Sequence, residues 1–400
     1  MIRSYRGGVH STLVLRPGRE KSLLRMHPWI FSGAVAQLLG DAAPGDTVRV
    51  ESSKGDPLGW AAWSPASALR ARMWSFEPHT NIDADFVTER VIASTRRRDD
   101  LASMTDAARL VFSEADGLPG VIADRYADTI VVQFGAPGAD RWRDAIADAL
   151  FALDGVRSVY ERSDTDARVR EGLPPRTGVL RGESPHDEIV IRERDMRYAV
   201  GVIEGHKTGF YLDQRAARGV VAEIAANRRV LNAFAYTGAF SVIAARHGAA
   251  AITSLDSSGP ALEGARRNAA LNDVEIGDTI EGDAFAELRK LRDRARSYDL
   301  IMLDPPKLAA TDAHLQRATR AYKDLNLLAA KLLAPGGILM TFSCSAAMTA
   351  DLFQKVVAGA ALDARRNLRI IGRLDQPSDH PVPLAFPEAG YLKGLMLQAD

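Results

Sequence analysis

Short apolar runs recur along the second half of the chain, and their spacing predicts its architecture. From about residue 189, strands are expected at Arg229–Asn232, Ala251–Leu255, Asp278–Ile280, Asp299–Leu303 and Gly337–Phe342. Helical spacing fills the gaps: from Thr237-Gly238 through His247, over 259–271, near 315–333 and onward from Thr349. Runs such as Leu300-Ile301-Met302-Leu303 and Gly337-Ile338-Leu339-Met340 do not alternate with polar residues, as expected of strands covered on both faces. Strand and helix in strict alternation predict a doubly wound parallel sheet.

The first half has a different rhythm. Thr12–Leu15, Thr47–Val50, Trp60–Trp63 and Leu69–Trp74 are expected strands, and Pro44-Gly45-Asp46 reads as a turn. In Leu69-Arg70-Ala71-Arg72-Met73-Trp74 apolar and basic residues alternate, so one face packs while Arg70 and Arg72 are expected to face solvent or phosphate. Residues 77–105 have helical spacing at Phe86, Val87, Val91 and Ile92, followed by Arg96-Arg97-Arg98, expected as a solvated helix end. Strands are expected at Val121–Ala123, Thr129–Val132 and Ser158–Glu161, with a helix from Arg141 to Leu153. Pro174-Pro175 and the polar Gly178–Pro185 stretch read as a boundary. Three domains follow, at 1–76, 77–186 and 187–400, in keeping with a length of 400 residues.

Composition adds little until charge is resolved along the chain. Apolar residues make up 46% and charged residues 26%, ordinary for a globular chain, and the formal net charge is zero. Residues 1–76 are nevertheless locally basic, with Arg3, Arg6, Arg16, Arg19, Lys21 and Arg25 facing few carboxylates. That distribution suits an RNA-contacting module or a plain solvated surface. One cysteine excludes an intrachain disulfide and any multi-cysteine zinc site, so no metal is expected. The amino terminus leads into no apolar signal core, and a cytoplasmic location is expected.

Candidate chemistry clusters at the predicted strand ends, where open α/β sheets bind their ligands. The segment Val230–Ser241 is a strand, a turn and a helix start in which Gly238 gives the turn its freedom. It lacks the second and third glycines of a dinucleotide fingerprint. Asp256, eighteen residues on, ends the next strand, where a carboxylate can accept from ribose hydroxyls. Asp283 follows the third strand and is placed to accept from an adenine amino group, with Ala284 or Phe285 packing on the ring. A strand-end aspartate can equally be a helix N-cap. Turn, ribose acid and adenine contact in that order form the layout of class I S-adenosylmethionine methyltransferases. The expected cofactor set is Phe234, Tyr236, Thr237, Gly238, Asp256, Asp283, Asp304 and Pro305.

The reactive candidates are Asp304-Pro305-Pro306-Lys307 and Thr341-Phe342-Ser343-Cys344-Ser345. Two prolines make a rigid turn with few backbone donors, suited to accepting from an exocyclic amine. Carbon 5 of cytosine is a poor nucleophile until a thiolate adds to C6, and that chemistry needs a cysteine beside the base. Many lone cysteines are small buried hydrophobes. The place of Cys344 after a strand, between two serines, favours the nucleophile. Asp304 is the nearest candidate for removing the C5 proton, but spacing alone does not choose the base. Gly205–Arg215 crowds glycines, aromatics and charges into eleven residues and could cover the cofactor or hold RNA. Pro306, Lys307, Lys207, Phe210 and Arg215 form the expected substrate set.

These motifs carry a family resemblance. Leu15–Gly18, His27–Phe31, Ser64–Ser67, Glu114–Gly120, Glu161–Asp164, His206–Arg215, Asp304–Lys307, Phe342–Ser345 and Asp379–Val382 together resemble the RlmI-type cytosine-C5 methyltransferases of large-subunit ribosomal RNA. The resemblance spans nearly the whole chain. It implies an α/β fold: a small β-barrel PUA domain, a small central α/β domain, then a Rossmann-like class I methyltransferase domain with a parallel-rich sheet. It also implies S-adenosylmethionine as cofactor, Cys344 as nucleophile, and 23S rRNA or the assembling large subunit as substrate. Relatives are often homodimers. Many RNA cytosine-C5 enzymes carry a second cysteine after the Pro-Pro-type motif to help release product; here Lys307 stands there.

Overall fold

The computed structural model describes residues 11–203, 205, 208–309 and 314–400. Lys207, expected at the substrate, lies outside them, as do Arg3 and Arg6. Contacts gather into two units. The first holds residues up to Ile191 with Val200–Phe210 and Ser378–Ala389; the second holds Arg192–Ala199, Tyr211–Pro377 and Gly390–Asp400.

The first unit contains a six-stranded sheet, ordered Trp29–Phe31, Leu69–Ser75, Pro57–Trp63, Thr47–Glu51, Thr12–Leu15, Val35–Leu39. A five-stranded sheet follows, ordered Arg176–Gly182, Ser158–Ser163, Thr129–Phe134, Val121–Tyr126, Ala107–Phe112. The two share a core, because Ala62 and Trp74 of the first sheet pack with Val121, Ile146 and Leu150 around the second. Gly138 allows that contact: a methyl group there would lie 2.3 Å from the Ala62 Cβ.

Three expectations change here. Arg72 does not face phosphate; it is half-buried between Glu114 at 3.3 Å and Glu171 at 2.7 Å. Arg98 is not a solvated helix end but a buried cation, bidentate on Asp116 at 2.7 and 2.8 Å. The polar stretch after Pro175 is an edge strand, Arg176–Gly182, antiparallel to Ser158–Ser163. Backbone pairing outweighs its glycine-rich, turn-like composition.

The second unit is built on seven strands, numbered in chain order: β1 Arg229–Ala233, β2 Ala251–Asp256, β3 Asp278–Glu281, β4 Tyr298–Leu303, β5 Leu333–Ser343, β6 Leu368–Leu374 and β7 Lys393–Ala399. Their order in the sheet is 3-2-1-4-5-7-6. The strands from β3 to β5 are parallel, whereas β7 inserts antiparallel between β5 and β6. Leu231, Leu255, Ile301, Leu303 and Leu339 bury the sheet against helices that include Leu315–Leu332 and Ala350–Asp363. The order reverses between β1 and β4, the crevice where such sheets bind ligands. No described helix is long and apolar enough to cross a membrane.

A buried charge cluster sets the chain's entry into this sheet. Glu193 accepts from Arg218 at 2.6 and 2.7 Å and from Arg215 at 3.2 Å, all three side chains being buried. Arg218 also donates to the Tyr211 carbonyl at 2.9 Å. Burial raises the Glu193 carboxyl, but Arg218 and then Arg215 outweigh it and hold it below the usual glutamate range. A group depressed in the folded state stabilises above its unfolded value, and that contribution fades as pH falls through the folded value. Glu193→Gln leaves two buried arginines short of a counter-charge and should cost about 3–5 kcal/mol in chemical denaturation at neutral pH. The gap to the native chain should close as the melts are repeated in acid; a gap independent of pH would show that the charge of Glu193 is not what stabilises.

Candidate active site at the carboxyl edge of the parallel sheet

The turn after β1 is held in an unfavourable backbone conformation. Phe234, Tyr236 and Gly238 have φ of +64°, +48° and +73°. For residues with a Cβ this costs about 1–3 kcal/mol each and persists only where neighbours enforce it. The Ala235 N–H donates to the Leu255 carbonyl at 3.0 Å and the Gly238 N–H to the Ala235 carbonyl at 2.9 Å. The Tyr236 N–H donates to Asp256 Oδ2 at 2.8 Å. At Gly238 a methyl group would meet the Ala265 Cβ at 2.5 Å, so glycine is required for space as well as for φ.

Asp256, at the end of β2, binds the β1 turn through one oxygen and the Ser258 N–H at 2.9 Å through the other. A carboxylate has about four lone-pair sites, so each oxygen keeps one to offer a hydroxyl. Asp283 is exposed and caps helix Ala284–Asp293 by accepting from the Ala286 N–H at 2.9 Å. It therefore fills the N-cap role, with Phe285 half-buried beside it. Strained turn, strand-end carboxylate and capping aspartate occupy three consecutive strands, and this arrangement fits a nucleoside-bearing cofactor.

β4 and β5 pair in parallel with Met302 opposite Met340 and Leu303 opposite Thr341. Asp304 and Cys344 thus leave the sheet at one edge, on adjacent strands. Asp304 Oδ2 accepts from Gln214 Nε2 at 2.9 Å. Pro305 is buried, whereas Pro306 and Lys307 are exposed. Cys344 is half-buried.

A single phenol fixes the residues on either side of the thiol. Ser343 Oγ donates to Tyr322 Oη at 3.0 Å, Tyr322 Oη contacts Ser345 Oγ at 3.1 Å, and Ser345 Oγ accepts from the Ala309 N–H at 3.1 Å. This chain ties the Cys344 loop to the Asp-Pro-Pro-Lys loop. Burial raises the Tyr322 phenol; hydrogen bonds to Ser343 and Ser345 oppose, and the charges of Cys344 and Asp304 reinforce the rise. Tyr211 packs edge-on against Tyr236, ring centroids 5.3 Å apart. Its phenol is raised by burial first, then by Asp304, Tyr236, Asp213 and Cys344. The Tyr211 ring therefore packs on the strained turn while the charges of Asp304 and Cys344 both act on its phenol.

Lys393 opens β7 directly opposite Ser343, and its Nζ donates to the Ser345 carbonyl at 2.8 Å. Burial lowers its amine to about 8, with Cys344 opposing and the Lys307 ammonium adding to the fall.

Two expected substrate residues are corrected. Arg215 is 3% exposed and committed to Glu193, so it presents no charge to RNA. Phe210 is 5% exposed, its N–H donating to Tyr126 Oη at 3.2 Å, and its ring is not available to stack on a base. Sequence reasoning missed Gln214, Tyr322 and Lys393. Tyr322 had a signal, being a phenol among Ala318, Leu325 and Ala329 on an otherwise apolar helix face. Tyr322→Phe should leave the two serine hydroxyls without their shared partner and cost about 1–3 kcal/mol of stability in urea melts. It should also speed alkylation of Cys344 in the native state, as the loop loosens; an unchanged alkylation rate would mean that the backbone alone holds the thiol.

Comparison with known proteins agrees with this geometry. A model of the S-adenosylmethionine-dependent methyltransferases matches residues 175–398, and one of the PUA-like domain matches residues 13–76. The chain is 48% identical over 387 residues to the ribosomal RNA large subunit methyltransferase I of Shewanella frigidimarina, spanning 96% of this chain and 98% of that one. The protein of the same name from Aeromonas salmonicida is 46% identical over 391 residues, spanning 97% and 99%. The solved structure of SMU.776 complexed with SAH shares the fold at a TM-score of 0.85 and 24% identity, covering 97% and 99% of the two chains. The chain accordingly belongs to the S-adenosylmethionine-dependent methyltransferase family, among the members named ribosomal RNA large subunit methyltransferase I.

Proposed function

We propose that this chain methylates carbon 5 of a cytosine in large-subunit ribosomal RNA, in the cytoplasm, through a covalent bond between Cys344 and C6. The observation that carries the reading is the register of β4 and β5, which brings Asp304 and the chain's one thiol to the same edge. The ribosomal substrate is taken from the names of the relatives. S-adenosylmethionine supplies an electrophilic methyl group.

Everything else falls to the chain's own residues. The strained turn Phe234–Gly238 with Thr237 holds the cofactor's backbone face, Asp256 accepts its ribose hydroxyls, and Asp283 accepts from its adenine amine. Pro305 closes that pocket from β4. Asp304, steadied by Gln214, accepts from the exocyclic amine of the target base. Exposed Pro306 and Lys307 border the base and its phosphate. Lys207 belongs to the same substrate set by its sequence position. The Cys344 thiolate adds to C6, the C6–S bond forms, and electron density moves to C5. After C5 gains the methyl group, a general base takes the C5 proton, Asp304 being the candidate at this edge; the C5–C6 double bond returns and the C6–S bond breaks, releasing the thiolate.

Cys344→Ala should abolish methyl transfer from labelled cofactor to undermodified ribosomal RNA, and 5-fluorocytosine RNA should trap the native chain as an adduct stable to denaturation. Mass spectrometry of the product nucleoside discriminates further: methyl on the exocyclic nitrogen instead of C5 would replace this reading with amine methylation at the Asp-Pro-Pro turn. Asp256→Asn presents a donor where a backbone N–H already points. It should weaken cofactor binding in calorimetry by about tenfold or more, equivalent to about 1.4 kcal/mol; undiminished affinity would remove Asp256 from the cofactor site.

A further inference from the structure

We infer that Lys393 is the positioning residue that holds Cys344 as a thiolate, its ammonium serving as the counter-charge both when the sulfur attacks and when it leaves. The inference rests on the reading of Cys344 as nucleophile and adds how a chain with one cysteine activates and releases it.

The geometry starts with β7. Antiparallel pairing sets Lys393 opposite Ser343, yet its Nζ reaches the carbonyl of Ser345 at 2.8 Å. The side chain therefore runs along the strand past the peptide of Cys344. Next to it, Gly394 leaves no room for a side chain: a Cβ there would lie 2.7 Å from the Leu374 Cβ and 2.8 Å from the Phe342 ring. β7 is thus pressed onto β5 at the residue beside the lysine, which fixes where the amine emerges.

The amine is out of place unless an anion is near. A partly buried ammonium normally pairs with a carboxylate. Among the described residues Lys393 has no carboxylate partner; its partners are a neutral carbonyl and the charges of Cys344 and Lys307. Lys307 is a second cation and adds repulsion. Of the two charges that act on Lys393 among the described residues, the thiol of Cys344 is the one able to become negative.

The thiol needs the cation equally. Asp304 and Cys344 both act on the Tyr211 and Tyr322 phenols, so a thiolate would form near the Asp304 carboxylate. Like charge disfavours ionisation, and an opposite charge within about 4–6 Å moves a titration by 1–3 units the other way. Of the two lysines whose charges meet at this site, Lys393 is the one fixed by a hydrogen bond to the Cys344 loop. A stabilised thiolate is also a better leaving group. The same ammonium therefore assists breaking of the C6–S bond, the step for which Lys307 supplies no second thiol.

The chain's single cysteine makes the test direct, because any thiol alkylation reports Cys344. Iodoacetamide alkylation of the full chain, followed by mass spectrometry from about pH 5 to 10, gives the thiol's midpoint against the ordinary value of about 8.5. The native chain should titrate below the same chain unfolded in guanidinium. Lys393→Met should raise the native midpoint by about one unit or more, slowing alkylation at neutral pH about tenfold. Lys393→Arg should restore it and extend the thiolate plateau above pH 8, where the lysine amine itself discharges. A native midpoint no lower than the unfolded one overturns the inference without any variant. So does an unchanged midpoint in a folded Lys393→Met chain, or a full shift on Lys307→Met instead. Should Cys344→Ala still methylate RNA while Lys393→Met shifts the thiol, the covalent mechanism falls and the ion pair stands.

Discussion

The parallel pairing of Tyr298–Leu303 with Leu333–Ser343 is the constraint on which the rest depends. It is a hydrogen-bonded register, so it fixes two strand ends relative to one another more tightly than side-chain packing would. Asp304 and Cys344 are 40 positions apart in the chain and contiguous on the sheet edge only because of it. The neighbouring pairing with β1 brings the strained turn to the same edge. A slip of one residue between β4 and β5 would break the alignment of the two motifs at the crevice, because the shifted strand would turn its side chains to the other face. Apolar burial on both faces, with Ile301, Leu303 and Leu339 enclosed, prevents that slip.

Strain and charge are then placed on this rigid base. The β1 turn keeps Phe234 and Tyr236 at positive φ because Asp256 and the Leu255 carbonyl bind the N–H groups between them. The carboxylate proposed to accept from a ribose also shapes the β1 turn, so the two roles cannot be separated by simple truncation. At the other end, one buried phenol connects Ser343, Ser345 and the Ala309 N–H. The Tyr322 phenol is shared between the two serine hydroxyls, and its burial favours the neutral form. The side chains on either side of the thiol are therefore held by neutral hydrogen bonds, and Lys393 adds a charged one to the Ser345 carbonyl.

How much of this was legible in the chain depended on range. The five parallel strands, helix 259–271 and the neighbouring strand ends follow from local apolar runs, and the helix bounds coincide with those expected. β6 and β7 were not legible. Leu368–Leu374 is broken by Gly372 and shifts register there, and its outer residues Ile370 and Ile371 remain exposed. Lys393–Ala399 gains its meaning from pairing with residues some 50 positions away. Lys393 could not be chosen from other lysines without that strand. Arg215 and Phe210 misled for the opposite reason: a motif dense in charge and aromatics looked exposed, whereas Glu193, far upstream, neutralises the arginine internally. Charge in a sequence does not reveal whether its partner is solvent, RNA or another buried residue.

The same lesson separates Lys307 from Lys393. Lys307 lies in the conspicuous motif but is exposed, where water and salt screen its field. Lys393 lies in an inconspicuous strand but is half-buried and hydrogen-bonded to the thiol's own loop. At equal distance, a charge in the less polarisable surroundings exerts the larger influence on a neighbouring ionisation. On the proposed mechanism one C–S bond forms and breaks in each cycle, so the sulfur's charge needs stabilising twice. A cation anchored to the backbone of the cysteine loop keeps its place through both steps, because its anchor is the Ser345 carbonyl and not the sulfur whose charge comes and goes.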